Sequence, residues 1–126
     1  MAEAIKILIL DDDDAVRISL ESYLEDCGFA CFPIASAEKA LDFLEHHSID
    51  LAIVDVRLPG IDGLNFILTA HAKWPTMKYI IFTGSVDIAV PESISKIREV
   101  ANTIFIKPID DLNRFVTEIN RLMSDS

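Results

Sequence analysis

Short apolar segments alternate with segments of helical periodicity along the chain, and this alternation constrains the fold more than any other feature. Each apolar segment is four to six residues long and rich in Ile, Leu, Val or Phe, as expected of a buried strand. One of them contains Pro33, which has no backbone N–H to donate, so we expect that strand at an edge of the sheet. The predicted strands are Ile5–Leu10, Phe29–Ile34, Asp50–Val54, Lys78–Phe82 and Thr103–Ile106.

The segments between and after these strands carry apolar residues at every third or fourth position, which predicts five helices. Asp14 and Ser36 are the predicted N-caps of the first two helices, and Gly28 marks the end of the first. Pro91 suits the first turn of the fourth helix, where no backbone N–H donor is needed. The predicted helices span about 14–27, 37–44, 63–73, 91–101 and 110–123.

Strands that are apolar along their whole length are buried on both faces, which is typical of parallel sheets with helices on each side. Right-handed crossovers then give a doubly wound sheet. The 126 residues therefore predict a single α/β domain over 1–126, with a doubly wound five-stranded parallel sheet of the flavodoxin-like (βα)5 type and strand order 2-1-3-4-5. Residues 1–4 and 124–126 are expected to be loose ends.

Acidic residues outnumber basic ones by 21 to 11, which gives the chain a net charge of −10. This charge repels nucleic-acid phosphates and anionic lipids, so direct nucleic-acid or membrane binding is not expected. The apolar segments are too short to cross a bilayer, and we expect a cytoplasmic protein. Cys27 and Cys31 lack further cysteines or a nearby histidine to complete a metal site, so both are expected to be reduced, packed thiols.

Four of the predicted strands end at polar residues. Asp11 and Asp12 follow the first strand, Asp55 the third, Thr83 the fourth and Lys107 the fifth. In a doubly wound sheet, ligands bind outside the carboxyl ends of the strands, where the strand order reverses. We therefore expect three carboxylates, one hydroxyl and one ammonium group to converge on one edge of the sheet.

This set of groups is suited to phosphoryl transfer. Three neighbouring carboxylates repel one another and favour a bound cation, and oxygen ligands that leave positions for water suit Mg²⁺. Lys107 can neutralise the oxygens of a transferring phosphoryl group while a carboxylate attacks phosphorus, and Thr83 can donate a hydrogen bond to a phosphoryl oxygen. The expected product is an aspartyl phosphate, and the expected cofactor is Mg²⁺.

The segments ILILDDD (7–13), VDVRLPGIDG (54–63), FTG (82–84) and FIKP (105–108) stand in this order, each at a predicted strand end. Together they resemble the response-regulator receiver domains of two-component signalling, the CheY-like family, over essentially the whole chain. The resemblance implies phosphoryl transfer from a histidine kinase or a histidine phosphotransfer protein. It also implies an output domain, a downstream partner or a homodimer, and catalysis only of the domain's own phosphorylation and dephosphorylation.

The resemblance further implies a role for each acidic residue at the strand ends. Asp55 is implied as the phosphorylated residue. Asp12 and Asp55 are implied as direct Mg²⁺ ligands, together with the backbone carbonyl of Arg57. Asp11 is implied to assist the ion through a water molecule.

By the same resemblance, Lys107 pairs with the phosphoryl group, its peptide bond to Pro108 is cis, and Thr83 moves toward the phosphoryl group as a switch. The sequence departs from the family at a second switch position, where receivers usually carry Tyr or Phe and this chain has Ile104. Phe105 cannot substitute, because neighbouring side chains of a strand point to opposite faces. Signalling is therefore expected to depend on Thr83 and the segment after it.

Two other functions stay open on the sequence alone. Asp12–Val16 also resembles the Asp-x-Asp-x-Val pattern of haloacid-dehalogenase-like phosphatases, whose later motifs could be supplied by Thr83, Lys107 and the pair Asp110–Asp111. That alternative leaves the acidic end of the third strand unexplained. The other is a receiver-like interaction module that is not phosphorylated, which only Ile104 favours.

Overall fold

In the computed structural model, which describes residues 3–85 and 88–124, five strands alternate with five helices. The predicted alternation is therefore confirmed, and most strand boundaries lie within one residue of those predicted. The elements are β1 (Lys6–Leu10), α1 (Asp14–Asp26), β2 (Ala30–Ile34), α2 (Ala37–Leu44), β3 (Leu51–Val54), α3 (Gly63–Lys73), β4 (Lys78–Thr83), α4 (Glu92–Ser95), β5 (Phe105–Ile106) and α5 (Asn113–Ser124).

The five strands form one sheet in the order β2-β1-β3-β4-β5, and each neighbouring pair is parallel. This confirms the predicted doubly wound fold. The strand that contains Pro33 lies at an edge, as expected of a residue without a backbone N–H. The strand order reverses between β1 and β3, so the carboxyl ends of these two strands border the crevice where such sheets bind ligands.

Alternate residues of the central strands enter two separate apolar cores, one on each face of the sheet. Leu8, Val54 and Ile81 face a core shared with α2 and α3. Ile9 and Ile53 face the other core, which contains buried residues of α1 and α5. Burial on both faces explains why β1, β3 and β4 are apolar over nearly their whole length.

The ends of α1 and α2 lie within one residue of those predicted, but the N-cap of α1 differs. The N-cap is Asp13, not Asp14: the Asp13 carboxylate accepts hydrogen bonds from the backbone N–H groups of Ala15 and Val16, at 2.9 and 3.4 Å. Ser36 caps α2 as predicted. Gly28 follows α1 with φ of +97°, a left-handed conformation that favours glycine after a helix.

Helix α3 has the predicted bounds, but one of the residues predicted for its buried face is exposed. Its apolar spacing predicts burial of Leu64, Ile67, Leu68 and His71 or their neighbours. Phe66, Ile67 and Ala70 are buried, whereas Leu68 is 38% exposed. The periodicity of α3 is ambiguous because apolar residues occupy most of its positions, so several helical faces are equally apolar in sequence. Packing against the sheet buries the face of α3 that carries the Phe66 ring.

The fourth helix is much shorter than predicted. Only Glu92–Ser95 is helical, so the expected extension to Val100 and Ala101 is wrong. The backbone there pairs with β4 instead: Tyr79 donates to Glu99 at 2.9 Å, and Ala101 donates to Tyr79 at 2.8 Å. These sheet-type hydrogen bonds require extended backbone, which is incompatible with a continuing helix.

The last helix begins later and ends later than predicted. The Asp111 side chain accepts a hydrogen bond from the Asn113 N–H at 3.0 Å, and the helix starts at Asn113 rather than near Asp110. At the other end α5 includes Ser124, whose hydroxyl donates to the Asn120 carbonyl at 2.7 Å, although Ser124 was expected in a loose end. Every helix in residues 3–85 and 88–124 is too short or too polar to cross a bilayer.

Candidate functional site

The strand ends place the predicted polar residues on one edge of the sheet and anchor their backbones there. The Asp55 N–H donates to the Leu10 carbonyl at 2.9 Å, which extends the pairing of β3 with β1 by one residue. The Lys107 N–H donates to the Thr83 carbonyl at 2.9 Å, which ties the end of β5 to the end of β4. These side chains therefore project from a rigid edge rather than from free loops.

Three carboxylates meet at this edge. One carboxylate oxygen from each of Asp11, Asp12 and Asp55 lies within 4.8 Å of the others. Asp11 is 2% exposed and Asp55 is 6% exposed, whereas Asp12 faces solvent. The structure thus brings together all three acidic residues that the sequence placed at the ends of β1 and β3.

Lys107 lies directly against this acidic cluster. Its Nζ atom is 2.7 Å from Asp11 Oδ2 and 3.3 Å from Asp55 Oδ2, and it lies 5.5 Å from the centre of the Phe82 ring. Burial alone lowers the pKa of Lys107, but the hydrogen bond and charge of Asp11 and the charge of Asp55 outweigh burial and raise it. Lys107 therefore stays protonated, and its peptide bond to Pro108 is cis.

The carboxylate of Asp55 is held in an unfavourable environment for a negative charge. Burial and the neighbouring charge of Asp11 raise the pKa of Asp55, while Lys107 and the backbone N–H of Arg57 lower it without restoring the ordinary value. Three carboxylates against one ammonium leave the cluster with a net negative charge. The site is therefore short of positive charge, which a divalent cation would supply.

Asp11 and Asp12 differ in how many hydrogen bonds they already make. One oxygen of Asp11 accepts from the Asp13 N–H at 2.9 Å and the other from Lys107. The Asp11 carbonyl also accepts from Arg17 Nη1 at 2.7 Å. Asp12 is exposed at the edge of the cluster, so its carboxylate is the more accessible ligand.

Thr83 is fully buried, and its hydroxyl accepts a hydrogen bond from the Ser85 N–H at 3.2 Å. The Ser85 hydroxyl in turn accepts a hydrogen bond from Nε of Arg57. A short chain of contacts therefore links Thr83 to the loop that begins at Asp55. The contact between Arg57 and Ser85 spans 28 residues and is visible only in the fold.

Ile104 and Phe105 point to opposite faces of the sheet, as strand alternation predicts. Ile104 packs against the core shared with α2 and α3 and borders a cavity of about 80 Å³. Phe105 is buried in the other core, 4.8 Å from the Phe115 ring centre. Phe105 therefore cannot occupy the position of the aromatic residue that receivers usually carry.

One contact near the site was missed by sequence reasoning. Glu38, in the first turn of α2, accepts a hydrogen bond through Oε2 from the Ile61 N–H at 3.1 Å. Ile61 lies in the loop between Asp55 and α3. Nothing in the local sequence indicates the contact, because its partners are 23 residues apart and Glu38 resembles any exposed helical glutamate.

Asp14 and the cysteines lie outside the acidic cluster. Asp14 forms an ion pair with Arg17, and its side chain is 83% exposed. The second aspartate of the phosphatase-like pattern thus does not enter the site. Both cysteines are free: Cys31 is buried, which raises the pKa of its thiol to about 12, but Cys27 is exposed, contrary to the expected packing.

The fold and the site define a doubly wound α/β domain with an acidic pocket at its strand-order reversal. Residues 7–120 match the family described as "Response regulator receiver domain". The chain therefore belongs to this family and is a receiver domain of two-component signalling. No comparison favours the phosphatase alternative.

Two regulators and one solved structure show the range of similarity. The transcriptional regulatory protein FixJ of Azorhizobium caulinodans is 36% identical over 111 residues, which cover 88% of this chain and 52% of FixJ. The DNA-binding transcriptional regulator NtrC of Klebsiella pneumoniae is 30% identical over 116 residues, which cover 92% of this chain and 24% of NtrC. A CheY-like receiver domain protein from Methanospirillum hungatei has a TM-score of 0.85 at 28% identity, with 98% of this chain and 96% of that chain covered.

The chain spans only about half of FixJ and about a quarter of NtrC. The similarity thus concerns the receiver portions of longer regulators.

Proposed function

We propose that this domain accepts a phosphoryl group from the phosphohistidine of a histidine kinase or a histidine phosphotransfer protein, stores it on Asp55 and changes its surface in response. The observation that carries the proposal is the position of Asp55, a buried carboxylate at a strand end with Lys107 at 3.3 Å and two further carboxylates within 4.8 Å. This arrangement supports the proposal because it combines a carboxylate suited to nucleophilic attack, an ammonium group and oxygen atoms suited to a cation.

The acidic cluster fits Mg²⁺. Its donors are all oxygen atoms, and the raised pKa of Asp55 reflects a negative charge that burial and Asp11 disfavour. We propose that Asp12, Asp55 and the backbone carbonyl of Arg57 hold the ion directly and that Asp11, whose oxygens are already engaged, acts through water. When bound, Mg²⁺ neutralises negative charge on the phosphoryl oxygens.

In the transfer step, an oxygen of Asp55 forms a bond to phosphorus as the bond between phosphorus and the donor histidine nitrogen breaks. The electron pair of the broken bond returns to the imidazole ring. Lys107 remains protonated and neutralises the transferred phosphoryl group, because it already lies between Asp11 and Asp55. Hydrolysis reverses the modification, so the domain catalyses only changes to itself.

The surface change is proposed to start at Thr83. The Thr83 hydroxyl accepts a hydrogen bond from the Ser85 N–H and can still donate its own proton to a phosphoryl oxygen. Because the two residues are joined by this hydrogen bond, movement of Thr83 should displace the segment that begins at Ser85. That segment leads to α4, which has four residues and no side-chain N-cap and is therefore easily displaced. Ile104 is β-branched and stiff at χ1, so we expect it to contribute little.

Beryllium fluoride, a phosphoryl mimic, tests both the site and the switch. With Mg²⁺ present, we expect it to shift the backbone amide signals of residues 84–85, 88–90 and 92–95 more than those of any other stretch outside the site. The side-chain methyl signals of Ile104 should change little, since its rotamer is retained. Absence of any shift would contradict the proposed function, and shifts confined to the three aspartates would contradict the switch route alone.

Arg57 is proposed to prolong the phosphorylated state, because its long cationic side chain can obstruct water or hold phosphoryl oxygens. Arg57→Ala should therefore lose phosphate about 3–10 times faster than the wild type, measured as phosphate release after removal of the phosphodonor. Ser85→Ala is the matched control, because it removes the contact partner of Arg57 but keeps the cation. An unchanged or slower rate in Arg57→Ala would contradict this role.

The remaining proposals concern the whole protein. We propose that residues 1–126 act as one receiver domain in the cytoplasm and make no direct contact with nucleic acid or membrane, in keeping with the net charge of −10. FixJ and NtrC are regulators in which the similar region is only part of the protein. An output domain, a separate partner or a second copy of this chain is therefore proposed to bind the surface that phosphorylation changes.

A further inference from the structure

The loop between β3 and α3 holds two of the residues assigned to the Mg²⁺ site, Asp55 and Arg57. We infer that Glu38, on a different helix, is a positioning residue for this site: its carboxylate fixes the loop and thereby the Arg57 carbonyl. This inference rests on the proposed function, because it concerns the affinity of the same site for Mg²⁺.

Glu38 contacts the loop at Gly60 and Ile61. Glu38 Oε2 accepts the Ile61 N–H at 3.1 Å, and the carboxylate lies directly over Gly60. Gly60 has φ of +76°, and a side chain there would overlap the Glu38 carboxylate, whose carbon is only 3.2 Å from the position of the added Cβ. The glycine thus permits both the turn and the close approach of Glu38.

The two ends of the loop are fixed independently of Glu38. The Gly63 N–H donates to the Val56 carbonyl at 2.9 Å, and the Asp62 carboxylate accepts the Asn65 N–H at 2.9 Å as the N-cap of α3. Between these anchors, the Glu38 contact holds the backbone from outside the loop. Loss of the contact should therefore free residues 57–61, which include the Arg57 carbonyl, and leave the anchored residues Val56 and Gly63 in place.

Helix α2 is a stable support for this contact. Ser36 caps it by accepting the Lys39 N–H, and Ala37, Ala40 and Leu44 are buried against the sheet. Glu38 lies between the first two of these buried residues, so its Cα position is set by core packing. Core packing therefore fixes the position of Glu38, and one charge-assisted hydrogen bond from the Ile61 N–H holds the loop against Glu38.

The inference is tested by Mg²⁺ titration of Glu38→Ala, Glu38→Gln and Asp42→Ala, followed by the backbone amide signals of Arg57 and Ile61. Glu38→Ala should raise the Kd for Mg²⁺ about 3–10-fold, the usual effect of losing one solvent-exposed hydrogen bond. Glu38→Gln keeps an acceptor oxygen and should stay within about twofold of the wild type. Asp42→Ala removes an exposed carboxylate from the same helix and should match the wild type.

Two further measurements separate positioning from other effects. The thermal midpoint of Glu38→Ala without Mg²⁺ should stay within about 3 °C of the wild type, because α2 remains packed. Its phosphorylation rate by acetyl phosphate should be reduced at low Mg²⁺ and restored at saturating Mg²⁺, since Glu38 does not touch the reacting atoms.

Three results would overturn the role of Glu38. The first is an unchanged Kd for Mg²⁺ in Glu38→Ala. The second is an equal loss of Mg²⁺ affinity in Glu38→Gln, which would indicate a long-range effect of charge rather than the hydrogen bond. The third is a phosphorylation rate of Glu38→Ala that saturating Mg²⁺ does not restore. Failure of the wild type itself to bind Mg²⁺ is a different outcome, because it would contradict the proposed function. The wild-type titration therefore distinguishes the two failures.

Discussion

Asp55→Asn should abolish phosphorylation by acetyl phosphate, with a loss of at least about 100-fold, while making the domain more stable in buffer without divalent cations. The loss follows because an amide oxygen is a far poorer nucleophile than a carboxylate oxygen. The two effects are measured on one preparation, by intact mass after incubation with acetyl phosphate and Mg²⁺, and by thermal unfolding in EDTA.

The gain in stability in EDTA follows from the electrostatics of the acidic cluster. Two unit charges 4.8 Å apart repel by about 3 kcal/mol at an effective dielectric constant of about 20, and Lys107 offsets only part of this. Removal of one charge should therefore stabilise the fold by about 1 kcal/mol, which is about 4 °C in the thermal midpoint. Saturating Mg²⁺ should stabilise the wild type and leave Asp55→Asn nearly unchanged.

Asp14→Asn is the matched control, because Asp14 lies in the same acidic run as Asp12 but is exposed and paired with Arg17. It should be phosphorylated at the wild-type rate and should not gain stability. Labelling that survives in Asp55→Asn and disappears in Asp12→Asn would contradict the assignment of Asp55 and favour the phosphatase-like chemistry that Asp12–Val16 suggested.

The sheet and the positions of the site residues could be predicted from the sequence because both depend on local patterns. Apolar strands such as Leu51–Val54 must be buried on both faces, and a polar residue directly after such a strand must lie at the edge of the sheet. Asp55, Thr83 and Lys107 occupy such positions, and their backbones are held by pairing that continues the strands. The parallel sheet then brings them together.

The features that escaped prediction depend on contacts between distant segments. The fourth helix cannot continue through residues 99–101, because they pair with Tyr79 in an isolated β-bridge that helical periodicity cannot reveal. The contacts of Glu38 with Ile61 and of Arg57 with Ser85 join residues 23 and 28 positions apart. Asp13 replaced Asp14 as the N-cap because any aspartate in the run could serve, and only the backbone geometry selects one.

Gly63→Ala should be the most destabilising single-methyl change near the site. Gly63 is buried at the start of α3, and a Cβ there would overlap the backbone carbonyl of Asp55 and lie 2.8 Å from a methyl carbon of Val54. A backbone carbonyl cannot rotate aside as a side chain can, so the loop and the end of β3 must move. We expect a loss of about 3 kcal/mol, or about 12 °C in the thermal midpoint.

Gly84→Ala provides the comparison, because no atom lies within 4 Å of the added Cβ and the residue is exposed. Its midpoint should stay within about 3 °C of the wild type, since the change mainly reduces the freedom of the unfolded chain. A wild-type midpoint in Gly63→Ala would contradict the close packing of α3 against Asp55. If the midpoint of Gly63→Ala falls as expected, its affinity for Mg²⁺ should also fall by about tenfold. The reason is that the backbone of Asp55 must move, and this residue carries the carboxylate whose Oδ2 atom lies 3.3 Å from Lys107 Nζ.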